Sequence, residues 1–145
     1  MSGICIYAEQ YENRIEESAF ELITAARALS AQSGEHIMAL VLGQDPDALS
    51  RQLSFQDVQG AAVKTEISAL QDDALSICVA EALRQLAPSS VLIPANRTCR
   101  ALFSRVAARM DVGLTADCSE LFLNESGEFL QRKSPFGENA MCVTA

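Results

Sequence analysis

The sequence predicts an α/β fold: a parallel sheet with helices on both faces and an antiparallel extension toward the C-terminus. Three observations point there. Short, almost wholly apolar runs recur at residues 3–8, 36–42 and 90–93, as strands buried on both faces require. Longer segments between them repeat apolar residues every three or four positions, the period of a helix with one buried stripe. The connections are short and the two kinds of segment alternate, which favours parallel strands joined by crossover helices.

Each element follows from its residues. GICIYA at 3–8 is rich in β-branched and apolar residues and reads as the first strand, with a polar loop at 9–13. A helix is expected over 14–32, where Ile15, Ala19, Leu22, Ile23, Ala26 and Leu29 keep helical spacing and Gly34 is a good stop. The run 36–42 is the second strand, closed by Gly43. Asp45 is placed to cap a short helix that carries Pro46 at its first position and runs to residue 55. Residues 60–64 read as a third strand. Asp72 or Asp73 can cap a helix whose Leu75, Cys78, Val79, Ala82, Leu83 and Leu86 share a face; Pro88 stops it before the strand at 90–93. In the next helix Leu102, Val106 and Met110 recur every four residues beside Phe103 and Ala107, and Gly113 is the expected stop. The alternation then gives way to three extended segments, 117–123, 128–133 and 138–145, the first two joined by a turn at 124–127.

Composition narrows the function classes. A chain of 145 residues is one domain, large enough to bury roughly 70% of its unfolded surface. A formal net charge of −8 argues against a nucleic-acid face, which needs clustered Lys and Arg. No apolar run approaches the ~20 residues that span a bilayer, so no membrane insertion is expected. Residues 4–8 are too short for a signal-peptide core. The cysteines Cys5, Cys78, Cys99, Cys118 and Cys142 are dispersed and odd in number, without C-x-x-C spacing, which fits a reduced cytoplasmic compartment.

The stretch with most chemical content follows the strand at 90–93. Pro94 closes the strand, and Asn96, Arg97, Thr98, Cys99 and Arg100 lead into the helix. Four of the eleven basic residues lie here: Arg97, Arg100, Arg105 and Arg109. One reading is a solvated helix face with local counter-charges. The other is a weak sulfate or phosphate site made by Arg97, Thr98, Cys99 and Arg100 with the helix N-terminus. A thiol at a helix start beside two arginines is also in a setting that can lower its pKa, although no general base is in view to make it catalytic.

The usual catalytic signatures are missing. There is no G-x-G-x-x-G after the first strand, no G-x-x-x-x-G-K-[ST] and no G-x-S-x-G. His36 is the one histidine and has no spaced Cys/His partners, so a structural or surface role is expected and no metal site. Glu16-Glu17 and Asp72-Asp73 fall at helix starts, where carboxylates complement the dipole rather than perform acid/base work. No catalytic residue is assigned.

A family resemblance goes further. RTCRALFSRVAARMDVGLTADCSEL at 97–121 closely resembles a block of the electron transfer flavoprotein α subunit: a Thr-containing loop before a basic residue, an R-x-A-A-R helix, then G-L-x-x-D-C. Other matches fall in order. The first strand leads into an acidic loop at Ala8-Glu9, ELITAARAL at 21–29 resembles the family's first helix, and Val41-Leu42-Gly43 resembles its second strand and turn. RKSPFGENAM at 132–141 is similar to the family's R-x-x-F-G-G-N segment. The chain departs from the pattern twice, with Cys99 and Glu138 at positions usually held by Gly, and each adds a Cβ where the family has bare backbone.

The resemblance implies that residues 1–145 form the N-terminal domain of such an α subunit, with a Rossmann-like sheet similar to adenine-nucleotide-binding α/β domains. It implies a scaffold that contacts a β subunit and a C-terminal FAD-binding domain absent from this chain. FAD in the full complex would carry electrons from dehydrogenases to a redox acceptor, and this chain alone would hold none. The segment after Pro135, with Phe136, Gly137 and Asn139, would meet the β subunit or the missing domain. Cys142 to Ala145 read as the inside of a strand, so the sequence is expected to be either an excised domain, the preferred reading, or a truncated gene product. Two alternatives remain open: a free-standing adenine-nucleotide module resembling the universal stress proteins, and a small hydrolase or transferase of the same fold. The loop 96–100 lacks the glycines the first would use, and the constellation the second would need is not found.

Overall fold

A computed structural model describes residues 3–53, 58–64, 71–126, 129–133 and 140–144. In chain order its elements are β1 (Gly3–Tyr7), β2 (Gln10–Tyr11), β3 (Arg14–Ile15), α1 (Glu17–Ser33), β4 (His36–Gly43), α2 (Pro46–Leu53), β5 (Gln59–Lys64), α3 (Asp72–Leu86), β6 (Ser90–Ile93), α4 (Arg97–Met110), β7 (Gly113–Leu123), β8 (Phe129–Lys133) and β9 (Ala140–Thr144).

Alternation of side chains along buried strands separates two layers. Ile4 and Ile6 of β1, Ala39 and Val41 of β4, and Leu92 of β6 face α1 and α2, where they meet Ala19, Leu22, Ile23, Ala26, Leu29, Leu49 and Leu53. Cys5, Met38, Leu40, Leu42, Val91 and Ile93 point the other way, against α3 and α4. The strands run β5-β4-β1-β6-β9-β7-β8 in one sheet. The first four pair in parallel, as the alternation of strand and helix requires. The chain moves outward from β1 through β4 to β5, then returns by α3 to place β6 on the other side of β1. The winding therefore reverses between β1 and β6.

The antiparallel part is less peripheral than an edge. β9 inserts between β6 and β7, antiparallel to both, and β8 closes the sheet beyond β7. β7 starts at Gly113 and so takes in the residue expected to stop α4. That helix ends instead at Asp111, whose backbone is left-handed with φ 55°. A short polar side chain tolerates this conformation better than most.

Three other local readings change. Residues 9–13 are not a plain loop: Gln10–Tyr11 and Arg14–Ile15 form a hairpin turned by Glu12 and Asn13, both at positive φ. Tertiary contact holds it, because Gln52 Oε1 accepts the Ile15 N–H at 2.9 Å and Gln52 Nε2 donates to the Asn13 carbonyl at 2.7 Å. The hairpin delays α1 to Glu17. At α3 neither aspartate caps; Gln71 is the N-cap, without a side-chain bond, and Asp72 and Asp73 sit in the first turn. Glu16 is the N-cap of α1 without a side-chain bond, the expected end of α2 near residue 55 lies outside the described residues, and the stop at Gly34 and the cap at Asp45 are as expected. Gly34 adopts φ 75° and returns its N–H to Ser30, and Asp45 Oδ1 accepts the Ala48 N–H at 3.1 Å. His36 is half-buried, and its ring and carbonyl lie so close over Gly3 that a Cβ there would come within 2.8 Å.

Candidate functional site

The reversal between β1 and β6 sets the place to look, because open α/β sheets bind ligands beyond the carboxyl ends of strands where the winding changes. Two loops meet there. Ala8 and Glu9 continue β1, and Pro94, Ala95 and Asn96 continue β6 into α4.

Asn96 is the N-cap of α4, with extended φ −126° and ψ 169°. Its Oδ1 accepts the Cys99 N–H at 2.8 Å, satisfying one of the orphan donors of a helix start. Its Nδ2 donates to Glu9 Oε1 at 2.5 Å. One side chain therefore caps the helix and ties the two loops together. Below it, Cys99 is 1% exposed. Burial pushes its thiol well above the ordinary range; the nearby Glu9 charge and a hydrogen bond to that carboxylate raise it further, and Asn96 opposes in part. The expectation of a lowered thiol pKa is thus reversed. The helix spacing carries Cys99 onto the apolar face with Leu102, Phe103 and Val106, where burial governs the thiol. Tyr7 packs edge-on against Phe103, ring centroids 4.9 Å apart. Its phenol is also raised, by burial first and then by the proximity of Cys99 and Glu9.

Of the four residues read as an anion site, Arg97, Thr98 and Arg100 are exposed, while Cys99 turns inward and spends its N–H on Asn96. Arg105 pairs with Asp73 of α3, and Arg109 Nε donates to Ser76 Oγ at 2.8 Å. Half of the local positive charge thus joins two helices. The second group of expected contact residues, Pro135, Phe136, Gly137 and Asn139, lies outside the described residues. The residues that sequence reasoning missed as a pair are Glu9 and Asn96. Asn directly before a helix is a cap signal, but nothing along the chain pairs it with a residue 87 positions earlier.

Residues 4–145 match the electron transfer flavoprotein domain. The chain belongs to the electron transfer flavoprotein family. It is similar to subunit LctC of a lactate dehydrogenase (NAD(+),ferredoxin) from Acetobacterium woodii, with 33% identity over 96% of this chain and 34% of that protein. It is also similar to an electron transfer flavoprotein subunit alpha from Thermoanaerobacterium thermosaccharolyticum, 31% identical over 97% of this chain and 43% of the relative. An acryloyl-CoA reductase electron transfer subunit beta from Anaerotignum propionicum is 28% identical over 95% of this chain and 39% of its own length. The chain thus spans between a third and a half of these curated relatives.

The family name implies a flavin. The residues at the switch point do not fit its pyrophosphate: the mouth holds the Glu9 carboxylate, and the loop from Pro94 into α4 has no glycine. Among the described residues no group of three His, Cys, Asp or Glu could hold a metal ion, and no helix is long and apolar enough to cross a membrane.

Proposed function

We propose that this chain is the scaffold and β-subunit-contacting domain of an electron transfer flavoprotein α subunit. The observation that carries the reading is the family match along residues 4–145, on a domain whose switch point is filled by its own Glu9. In the complete protein, FAD held by a separate C-terminal domain would take electrons from a dehydrogenase and pass them to a redox acceptor; the flavin supplies the electron chemistry. This chain would supply rigid support and surface, with no catalytic residue of its own and no flavin bound alone. Relatives carry names of a lactate dehydrogenase subunit and of an acryloyl-CoA reductase electron transfer subunit, which supports a dehydrogenase partner here. The cytoplasm is the proposed compartment. No observation favours the free-standing nucleotide module or the hydrolase reading.

The partner surface is proposed at Pro135, Phe136, Gly137 and Asn139 and on to Ala145. Hydrogen exchange with and without the β subunit tests it: protection should rise over 135–145, and unchanged exchange there contradicts the assignment. A weak phosphate or sulfate site on the outer rim of α4 is proposed at Arg97, Thr98 and Arg100, beside the buried Cys99. Arg100→Ala should then remove the protection that phosphate gives against thermal unfolding, and undiminished protection refutes the site.

A further inference from the structure

The crevice between the ends of β1 and β6 is where a sheet of this topology admits a nucleotide. Here its two walls are bonded to each other by Asn96 Nδ2 and Glu9 Oε1, 2.5 Å apart. Both ends of that contact are anchored. Asn96 is held by the Cys99 N–H at Oδ1 and by the Arg100 N–H, which donates to its carbonyl at 2.9 Å. On the other wall the Glu9 carbonyl accepts the Glu16 N–H at 2.8 Å, and the Ala8 N–H donates to Leu40 at 2.9 Å. Ala8 beside Glu9, Cys99 on the first turn of α4 and Phe103 one turn on are all 1% exposed or less.

We propose that Glu9 is an internal stopper: its carboxylate occupies the mouth of the switch-point crevice, ties the two loops through Asn96, and keeps nucleotide phosphates out of this chain. The proposal rests on the scaffold reading and deepens it, because it names the residue that makes the domain a scaffold rather than a nucleotide carrier. A phosphate entering the mouth meets a like charge there. It must also displace a charge-assisted hydrogen bond from the amide it would use as donor. Glu9, Asn96 and Cys99 already bond one another there, so an incoming anion must break an existing contact before it gains one.

The full chain and its Glu9→Ala, Glu9→Gln and Asn96→Ala variants test this with two readouts. Alkylation by iodoacetamide, located by peptide mass spectrometry, reports opening over Cys99; Cys78, half-buried on α3, is the internal reference for intact folding. Calorimetric titration with ADP reports the crevice itself. Cys99 in Glu9→Ala and Asn96→Ala should be alkylated roughly tenfold to a hundredfold faster than in the unaltered chain, the span for opening a hydrogen bond to a charged group. Cys78 should not change. Glu9→Ala and Glu9→Gln should bind ADP, and the unaltered chain should not. Unchanged Cys99 rates in both alanine variants overturn the stopper, as does an open Cys99 with no ADP binding in either Glu9 variant; the scaffold reading survives both. If the unaltered chain binds ADP as well as its variants, the stopper and the scaffold reading fail together.

Discussion

Among the described residues, the buried core on the α1/α2 side of the sheet consists of Ile, Leu, Val and Ala side chains. On the α3/α4 side it takes in Cys5, Cys99 and Phe103, with Tyr7 and Cys78 packed on its margin. The buried Ser76 belongs to the same side: its hydroxyl donates to the Asp73 carbonyl at 2.7 Å and accepts from Arg109. Arg84 Nη2 donates to the Arg109 carbonyl at 2.8 Å, and Arg105 pairs with Asp73. On the first side the directional bonds run outward, from Gln52 of α2 to the hairpin at Asn13 and Ile15, and the layer itself is held by shape and hydrophobic burial, which are non-directional. The other adds directional bonds between α3 and α4 and ends in the Glu9–Asn96 contact. The lesson is that the layer carrying polar groups is the one that sets the crevice, whereas the aliphatic layer supports it from behind.

The largest test of this contrast is truncation in each layer. Phe103→Ala removes a fully buried ring and should cost about 3–5 kcal/mol in denaturant unfolding. It should also release Tyr7, seen as a sharp change in Tyr7 ring NMR shifts. Ile23→Val, in the aliphatic layer, should cost about 0.5–1.5 kcal/mol and leave Tyr7 unchanged. If Ile23→Val moves Tyr7 as much, the layers are not separable.

Alkaline pH should separate them next. Burial pushes the Cys5 thiol from 9.0 up to about 12, and the Cys99 thiol and the Tyr7 phenol are raised by burial as well. In each case the unfolded chain loses its proton at a lower pH than the folded one. Stability is therefore complete below pH 9 and falls as pH rises from 9 toward 12, by about 1.4 kcal/mol per pH unit for each group then protonated only when folded. All three groups sit on the α3/α4 side or its margin. Cys99→Ala should flatten the slope measured between pH 9 and 10.5 by urea titration, near the ordinary thiol range. An unchanged slope would place Cys99 in water.

The smallest effect is expected at Arg105. Its bond to Asp73 is largely solvent-exposed, so Arg105→Ala should change stability by no more than about 1 kcal/mol, and less at high salt. A larger loss would mean that the α3–α4 clasp depends on this pair rather than on Arg109 and Ser76.

How much of this was legible varies with range along the chain. The parallel core was, because Ile4 and Ile6, Met38 to Leu42, and Val91 to Ile93 announce burial on both faces within a few residues. The caps at Gly34 and Asp45 were legible for the same reason. The hairpin at Gln10–Ile15 was not: two-residue strands have no period to detect, and Glu12-Asn13 is not the Asn-Gly pair that marks such turns. Asp111 in place of Gly113 reflects a helix that stops where β7 begins to pair. The insertion of β9 between β6 and β7 was out of reach, since the order of antiparallel strands is not written in their pattern. At the candidate site the inward turn of Cys99 could have been read from its spacing to Leu102, Phe103 and Val106. The Glu9–Asn96 contact depends on strand order and could not.

If this chain is a scaffold whose switch point is already filled, it holds no flavin of its own, and reconstitution with FAD decides the matter. After incubation with excess FAD and desalting, the protein should be colourless, with no flavin absorbance. A yellow protein retaining stoichiometric FAD would contradict both the filled switch point and the scaffold role drawn from it.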